Sequence, residues 1–306
     1  MTGLSLSGGT FSYANISAGS TSANPTLNSP LATFTFTSGS TTVTTPSTTY
    51  GNLVTTQVYS LSPIQNGFTA VNTSGGTLTA TSYGATVGPA RTSGVVTRKI
   101  TSTWTPTAAY NSAGTKTASI STAATCTQNA NTTTSITYGT PSITFSYGTI
   151  AASGGTVNPS LSYSQSRTQN YTSGATSTLT AVTTGASVSY AKVSGNGTVN
   201  TSTGAVTASS RGTTVDTANT TAATVRVTVT LNSKSATKDA SAAQIRNQAT
   251  SITYGTPSVS VTCNDVPASG GSVTSGTANY SQSRTQNYTS GSTSTLAALT
   301  SGGTVT

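Results

Sequence analysis

The chain repeats itself at long range. Tyr163–Gly174 reads YSQSRTQNYTSG, and Tyr280–Gly291 reads the same letters again. Upstream of each stands a second shared phrase, TSITYGTPS, at Thr134–Ser142 and Thr250–Ser258. The offsets are 117 and 116 residues. That period is too long for a solenoid unit of roughly 20–50 residues and suits one small domain with its own core. Tandem domains are therefore the expectation.

A diverged first copy precedes these two. TFSYANISAGSTSANPTL at Thr10–Leu27 matches TFSYGTIAASGGTVNPSL at Thr144–Leu161, and NTSGGTLTA at Asn72–Ala80 matches NTSTGAVTA at Asn200–Ala208. The expected division is residues 1–132, a diverged domain and candidate docking domain, then 133–248, then 249–306, the beginning of a third domain. A half-sandwich would leave an apolar face and unpaired edges open. The expectation is that more chain follows Thr306, or that another chain completes the domain.

The second copy shows its strands most clearly. Ile143, Phe145 and Tyr147 alternate with Thr144 and Ser146, and Val225, Val227, Val229 and Leu231 alternate with Arg226, Thr228 and Thr230. Alternation at period two marks a strand with one face buried. Val188–Ala191 and Ala205–Ala208 are shorter versions. Between them lie glycine turns at Ser153–Gly155, Ser194–Gly197, Ser202–Gly204 and Ser210–Gly212. Glycine takes the positive φ of such turns without a steric cost. Short strands at this spacing predict a β-sandwich. No helix is expected; Ala240–Arg246 reads as a last strand or the approach to a linker.

Composition bounds the rest. Charged residues make up 5% of the chain, against roughly 25% in ordinary domains. Such a polar chain could be disordered, but abundant alternating Thr, Val and Ile favour a pleated, half-buried surface. The net charge is +9, from 12 basic and 3 acidic residues. The basic residues are scattered, with only Arg98 and Lys99 adjacent, which is not the clustered footprint of a nucleic-acid binder. They read as a weakly charged surface. No apolar run approaches the ~20 residues that cross a bilayer, so no membrane insertion is expected. The first residues, MTGLSLSGGTFSY, lack the form of a secretory signal. If Met1 is the native start, export by that route is not expected. Cys126 and Cys263 fall in different copies, and both read as free thiols that act as small packing residues, which suits a reducing compartment.

Catalytic chemistry has little to stand on. The chain has no His and no Glu, and its aspartates are Asp216, Asp239 and Asp265. General acid–base work, a catalytic triad and a carboxylate pair all lack partners. No zinc, calcium or phosphate motif is present. No catalytic residue, metal or cofactor is expected. An isopeptide crosslink through Lys238, beside Asp239, would lower the mass by the ~17 Da of one ammonia. Neighbours on a strand face opposite ways, so the two read as a solvated pair.

VSGNGTVNTSTGAVTASSRGTT (Val193–Thr214), followed by VRVTVTL (Val225–Leu231), resembles the bacterial immunoglobulin-like domains of the intimin/invasin type. Phe68–Thr86 is a weaker version of the same pattern. The resemblance covers only part of each repeat, and these repeats are longer than the usual family domain, which implies extra strands or a long loop. It implies an all-β chain of tandem immunoglobulin-like β-sandwiches and a non-catalytic role as spacer or binding module. The family occurs in bacteriophage structural proteins and in bacterial surface adhesins.

The expected role is a virion component: a head fibre, capsid decoration or tail fibre, assembled in the host cytoplasm and carried on the virion surface. Its partners would be virion or capsid proteins, further copies of itself, and a glycan or protein of the host surface. The first copy would dock and the later ones project. The alternative is an adhesin on a bacterial cell surface. Within the repeated phrase, Arg167, Gln169 and Asn170, with Arg284, Gln286 and Asn287, are the candidate surface-binding residues. The plainer reading of these six is a strand edge and turn, repeated because the domain is. Tyr171 and Tyr288 are expected in the core or at a domain junction, and Trp104 in a core.

Overall fold

The computed structural model describes residues 1–36, 39–43, 50–272 and 276–304. The chain is all-β, its strands packed as β-sandwiches; the one helical piece among the described residues is a short 3₁₀ turn, Ala108–Ala113. It falls into two compact units, Met1–Thr137 with Arg167–Leu179, and Tyr138–Ser166 with Thr180–Thr306.

In the second unit the period-two strands do what their pattern dictates. Thr220–Leu231 lies between Ser187–Ser194 and Lys234–Gln244, antiparallel to both. Val225, Val227, Val229 and Leu231 are buried, while Arg226 points outward. A register shift between Thr221 and Ala223 lets consecutive Ala222 and Ala223 both face inward. Opposite this sheet stands Ser142–Tyr147, paired with the first half of Pro159–Tyr171. Ile143, Phe145, Tyr147, Leu161 and Tyr163 pack onto the same core as the valines. Two apolar sheet faces closed on each other make a sandwich. Each fully buried valine contributes about 1.5–3 kcal/mol. Ala240–Gln244 is the end of the Lys234–Gln244 strand, as the sequence suggested.

The first unit repeats this plan. Val95–Pro106 is flanked antiparallel by Gly51–Ser62 and Lys116–Ala124. Phe11 meets Tyr13 and Tyr59 edge to face at 5.8 Å, as Phe145 meets Tyr147 at 5.3 Å. Tyr13 donates its hydroxyl to Gly76 O at 2.5 Å, and Tyr147 to Gly204 O at 2.6 Å. Both glycines have φ of +75°. A Cβ there would also come within 2.7 Å of a tyrosine ring, Tyr59 or Tyr190. Asn72 and Asn200 tie the same two turns, each accepting two following backbone N–H groups on its side-chain oxygen. Trp104 lies in a separate small core with Phe34 and Ala32, under the extra strands Gly3–Gly8 and Pro30–Phe36.

Two expectations need correction. Arg98 is not a surface charge: it is 5% exposed, donates to Gln57 Oε1 at 2.8 and 3.0 Å, and donates to the carbonyls of Gly9 and Asn28 at 3.0 Å. It sits on the inward parity of its strand, and backbone carbonyls satisfy it in place of a carboxylate. Cys263 is not a packing residue. Cys126 is buried in the first core, but Cys263 is exposed, because the face it shares is uncovered.

Burial raises the Tyr13 phenol to about 12, and burial first, then the neighbouring Tyr190, raises Tyr147 to about 12. The folded state therefore favours the neutral phenols. The stabilisation is complete below the ordinary tyrosine value of about 10 and is lost as pH rises from there toward 12. Tyr13→Phe with Tyr147→Phe should lower stability at neutral pH by about 1 kcal/mol per lost hydrogen bond. The same change should flatten the alkaline decline of the urea midpoint. An unchanged decline would count against this account.

Candidate functional site

The repeated phrase lies on Pro159–Tyr171 and again on Gly276–Tyr288. Five of the six candidate side chains stitch strands together. Gln169 Nε2 donates to Ser135 O at 3.0 Å, and Asn170 Nδ2 donates to Ser135 Oγ at 3.1 Å and Thr137 Oγ1 at 2.8 Å. The later copy repeats this: Gln286 Nε2 reaches Ser251 O at 2.9 Å, and Asn287 Nδ2 reaches Ser251 Oγ at 3.1 Å and Thr253 Oγ1 at 2.8 Å. Arg284 Nε donates to Ala297 O at 2.8 Å. Arg167 is half-buried and held by interactions of its own. The structure thus gathers Gln and Asn of each copy on one strand, with their amides committed to the neighbouring strand. Tyr171 and Tyr288 are half-buried, and their hydroxyls meet Ser177 and Ser294 at 3.1 and 2.9 Å.

The more elaborate construction lies just beyond the phrase, in its final TSG. Asn247 is completely buried. Its Nδ2 donates to Gly212 O at 2.9 Å and Thr214 O at 2.8 Å. Its Oδ1 accepts from Thr289 Oγ1 at 3.0 Å and from Ser290 N at 2.9 Å. Ser290 Oγ then donates to Gly212 O at 2.5 Å. One amide so uses both donor and both acceptor positions. It joins the Ser210–Gly212 turn, the linker and the turn that ends Gly276–Tyr288.

The same device stands at Asn131, also completely buried. Its Nδ2 donates to Gly84 O at 3.0 Å and Thr86 O at 2.8 Å, and its Oδ1 accepts from Thr172 Oγ1 at 3.0 Å and Ser173 N at 2.8 Å. Ser173 Oγ donates to Gly84 O at 2.6 Å. The buried glutamines just upstream repeat as well: Gln128 Nε2 donates to Thr81 O at 3.3 Å, and Gln244 Nε2 to the matching Ser209 O at 2.9 Å. Sequence reading passed over these residues. Asn131 and Asn247 lie 116 apart, three residues before the shared TSITYGTPS, so the register that exposed the phrase could have exposed them.

The surroundings of the two clamps have diverged. At the later one Arg211 forms a two-pronged pair with Asp216, Nε to Oδ2 at 2.9 Å and Nη2 to Oδ1. Asp216 also receives Asn247 N at 3.2 Å. At the earlier one Tyr83 holds the place of Arg211 and lies under the Arg91 guanidinium, 3.7 Å from ring centre to Cζ. On the outer face of the second-unit sheet Arg226 pairs with Asp239 at 2.8 Å on both prongs, so Asp239 is engaged across the strands and not with Lys238. An open polar groove of about 620 Å³ runs past Arg211, Gln244 and Thr207. Among the described residues no group of three His, Cys, Asp or Glu could hold a metal ion.

No family model matches the chain, and no curated protein does either. Among solved structures, the chain is similar to extracellular domains 3–5 of Drosophila OTK at 12% identity and a TM-score of 0.17, covering 76% of this chain and 59% of that one. It is similar to a chimeric titin Z1Z2–Z1Z2 tandem at 12% identity and a TM-score of 0.15, covering 76% and 95%. It is similar to the human desmocollin-1 ectodomain at 9% identity and a TM-score of 0.18, covering 95% and 77%. The chain thus spans less than two thirds of the OTK fragment. At such TM-scores the fold rests on its own strand pairing.

Asn247→Ala should cost about 1–3 kcal/mol, the cost of leaving buried polar groups unmade. Asn247→Asp keeps the shape but turns an acceptor toward two carbonyls, so it should cost at least as much by urea unfolding. An Asp variant as stable as the parent would contradict the clamp. The Arg211 hydrogen bonds, then the Asn247 N–H, hold the Asp216 carboxyl below its usual range. That stabilisation is complete above about pH 4 and is lost as pH falls through the lower folded-state value. Asp216→Asn should shrink the acid-side fall of the urea midpoint, leaving the share of Asp239, whose carboxyl is held low by Arg226.

Proposed function

We propose that the chain is a structural spacer and attachment module of a bacteriophage virion, a head fibre, capsid decoration or tail-fibre component, and not an enzyme. The observation that carries this reading is the clamp, rebuilt bond for bond around Asn131 and Asn247. A chain that spends its few buried amides on fixing where one repeat meets the next is made to hold spacing. The absence of His and Glu from the sequence supports the non-catalytic part. The virion placement is supported by the resemblance of Val193–Thr214 and Val225–Leu231 to bacterial immunoglobulin-like domains. It is also supported by two thiols that form no disulfide, which suits assembly in a reducing cytoplasm.

The test is immunogold electron microscopy, with an antibody raised against this chain, on particles and cells from a culture that makes it. Gold on purified virions, at head or tail, is the expected result. Label confined to the bacterial cell surface would replace this reading with that of an adhesin, and label on neither would remove both.

A further inference from the structure

Asparagine followed by glycine is the pair in which a backbone nitrogen most readily reaches the preceding side chain, because glycine has no Cβ to shield it. The sequence has this pair twice, at Asn66–Gly67 and Asn196–Gly197. The fold treats the two in opposite ways. Gly197 is buried, and its N–H donates to Ala222 O at 2.8 Å. Asn66 is exposed, in the turn between Gly51–Ser62 and Phe68–Val71 that Phe68 N closes by donating to Gln65 O at 3.1 Å. Asn66 and Gly67 are both left-handed, with φ of +52° and +76°. The Gly67 N–H meets no acceptor among the described residues. Two groups flank the pair. Asn66 Nδ2 donates to Thr92 O at 2.9 Å. The Arg91 guanidinium lies against the Gly67 backbone, so closely that a Cβ there would collide with Nη1. Arg91 is held in that place by Nη2 donating to Thr81 O at 2.6 Å and by the Tyr83 ring. Its Nε is buried and has no partner among the described residues.

We propose that Asn66–Gly67 is a self-modification site, at which the chain converts its own asparagine to aspartate while Asn196–Gly197 stays intact. The Gly67 nitrogen attacks Asn66 Cγ. The N–Cγ bond forms, the Cγ–Nδ2 bond breaks, and Nδ2 leaves as ammonia with the proton that Gly67 gives up. Water then opens the five-membered imide. Addition at Cγ gives aspartate in the ordinary chain, and addition at the Asn66 backbone carbonyl gives the β-linked isomer. Nothing is oxidised or reduced, and water is the one co-reactant. The attacking nitrogen has to be free to turn toward its side chain. At Gly67 no hydrogen bond stands in the way, whereas Gly197 must first open a buried one. Arg91 adds a second contribution. Its positive charge lies beside the nitrogen that loses a proton and the oxyanion that forms on Cγ, and charge placed in advance favours both. Arg91 also receives the product. A carboxylate at 66 no longer donates to Thr92 O and turns to the guanidinium beside it, where Nε is still unused. The chain has three acidic side chains, so a fourth is a large change to its charge pattern. This inference stands apart from the virion reading, since the turn would react on any carrier.

The test is a peptide map of the full chain after incubation at mildly alkaline pH, with Asn196 as the internal control. Aspartate and isoaspartate should accumulate at 66 about tenfold or more faster than at 196, because the bonded pair reacts only after local opening. Each conversion releases one ammonia and raises the mass by about one dalton. In urea the two pairs should convert at similar rates, so that the fold and not the dipeptide makes the choice. In the folded chain Arg91→Gln should slow conversion at 66 several-fold, while Arg91→Lys, which keeps the charge, should retain most of the rate. Neither change should alter the rate in urea. Equal rates at 66 and 196 in the folded chain would overturn the proposal, as would an Asn66 that survives folded but converts in urea. Faster conversion in Arg91→Gln would overturn the part assigned to Arg91, since the guanidinium would then serve to hold the turn shut.

Discussion

Alternation along a few strands is the constraint from which the rest follows. Val225, Val227, Val229 and Leu231 all turn inward, so their strand can be stable only between two neighbours and under a second apolar face. The aromatic and aliphatic residues of Ser142–Tyr147 provide that face. The turns must then close the ends of the strands at fixed places, which is why Tyr147 binds a left-handed glycine turn by its hydroxyl and Asn200 organises it. The first unit reaches the same solution with Phe11, Tyr13, Tyr59 and Asn72. Its inward face even tolerates Arg98, because carbonyls and Gln57 surround the guanidinium. A buried cation without a carboxylate is costly unless its N–H groups are met, and here the Gln57 amide oxygen and the backbone carbonyls of Gly9 and Asn28 meet them.

A scarcity of charge shapes how the repeats are joined. With 5% charged residues, salt bridges cannot fix one repeat against the next. Exposed ion pairs would contribute little in any case. Neutral amides take over. Asn131 and Asn247 each satisfy two carbonyls and two donors at a site without solvent. In such a site a hydrogen bond is stronger and a missing partner more damaging than at the surface. The geometry is strict because an amide has two different ends. Arg211 and Asp216 reinforce one clamp, while Tyr83 and Arg91 flank the other. The amide core has stayed fixed while its rim has changed.

Much of the architecture was legible in the sequence, for a physical reason. Period-two alternation and glycine turns act locally, so the strands around Val225–Leu231 and Ile143–Tyr147 could be read from neighbours alone. Trp104 was expected in a core and lies in one, with Phe34 and Ala32. What escaped was whatever depends on the partner across space. Arg98 looks like any exposed arginine until Gly9 and Asn28, far away in the chain, are seen to receive it. Asn131 and Asn247 look like linker residues, since polar asparagine is common in linkers. Only the carbonyls of a remote turn make them structural. The repeated SRTQNY drew attention because it was long and identical, yet its Gln and Asn amides serve the adjacent strand. Identity between copies marked the sheet, and the clamp lay a few residues outside it.

Cys263 shows how a single exposed residue can be informative. A free thiol in a polar repeat protein reads as small and apolar, and so as buried. It lies instead on the uncovered face, at the position of Tyr147. Tyr147 lies at the end of its strand and needs Gly204, from the opposite half of the sandwich, for its hydroxyl. A tyrosine at 263 would require that glycine turn to be present, and cysteine does not. The third copy therefore keeps the strand register of the second and the bond from Gln282 Nε2 to Gly255 O, but cysteine at 263 makes no polar bond of the kind that commits Tyr147 to its own turn.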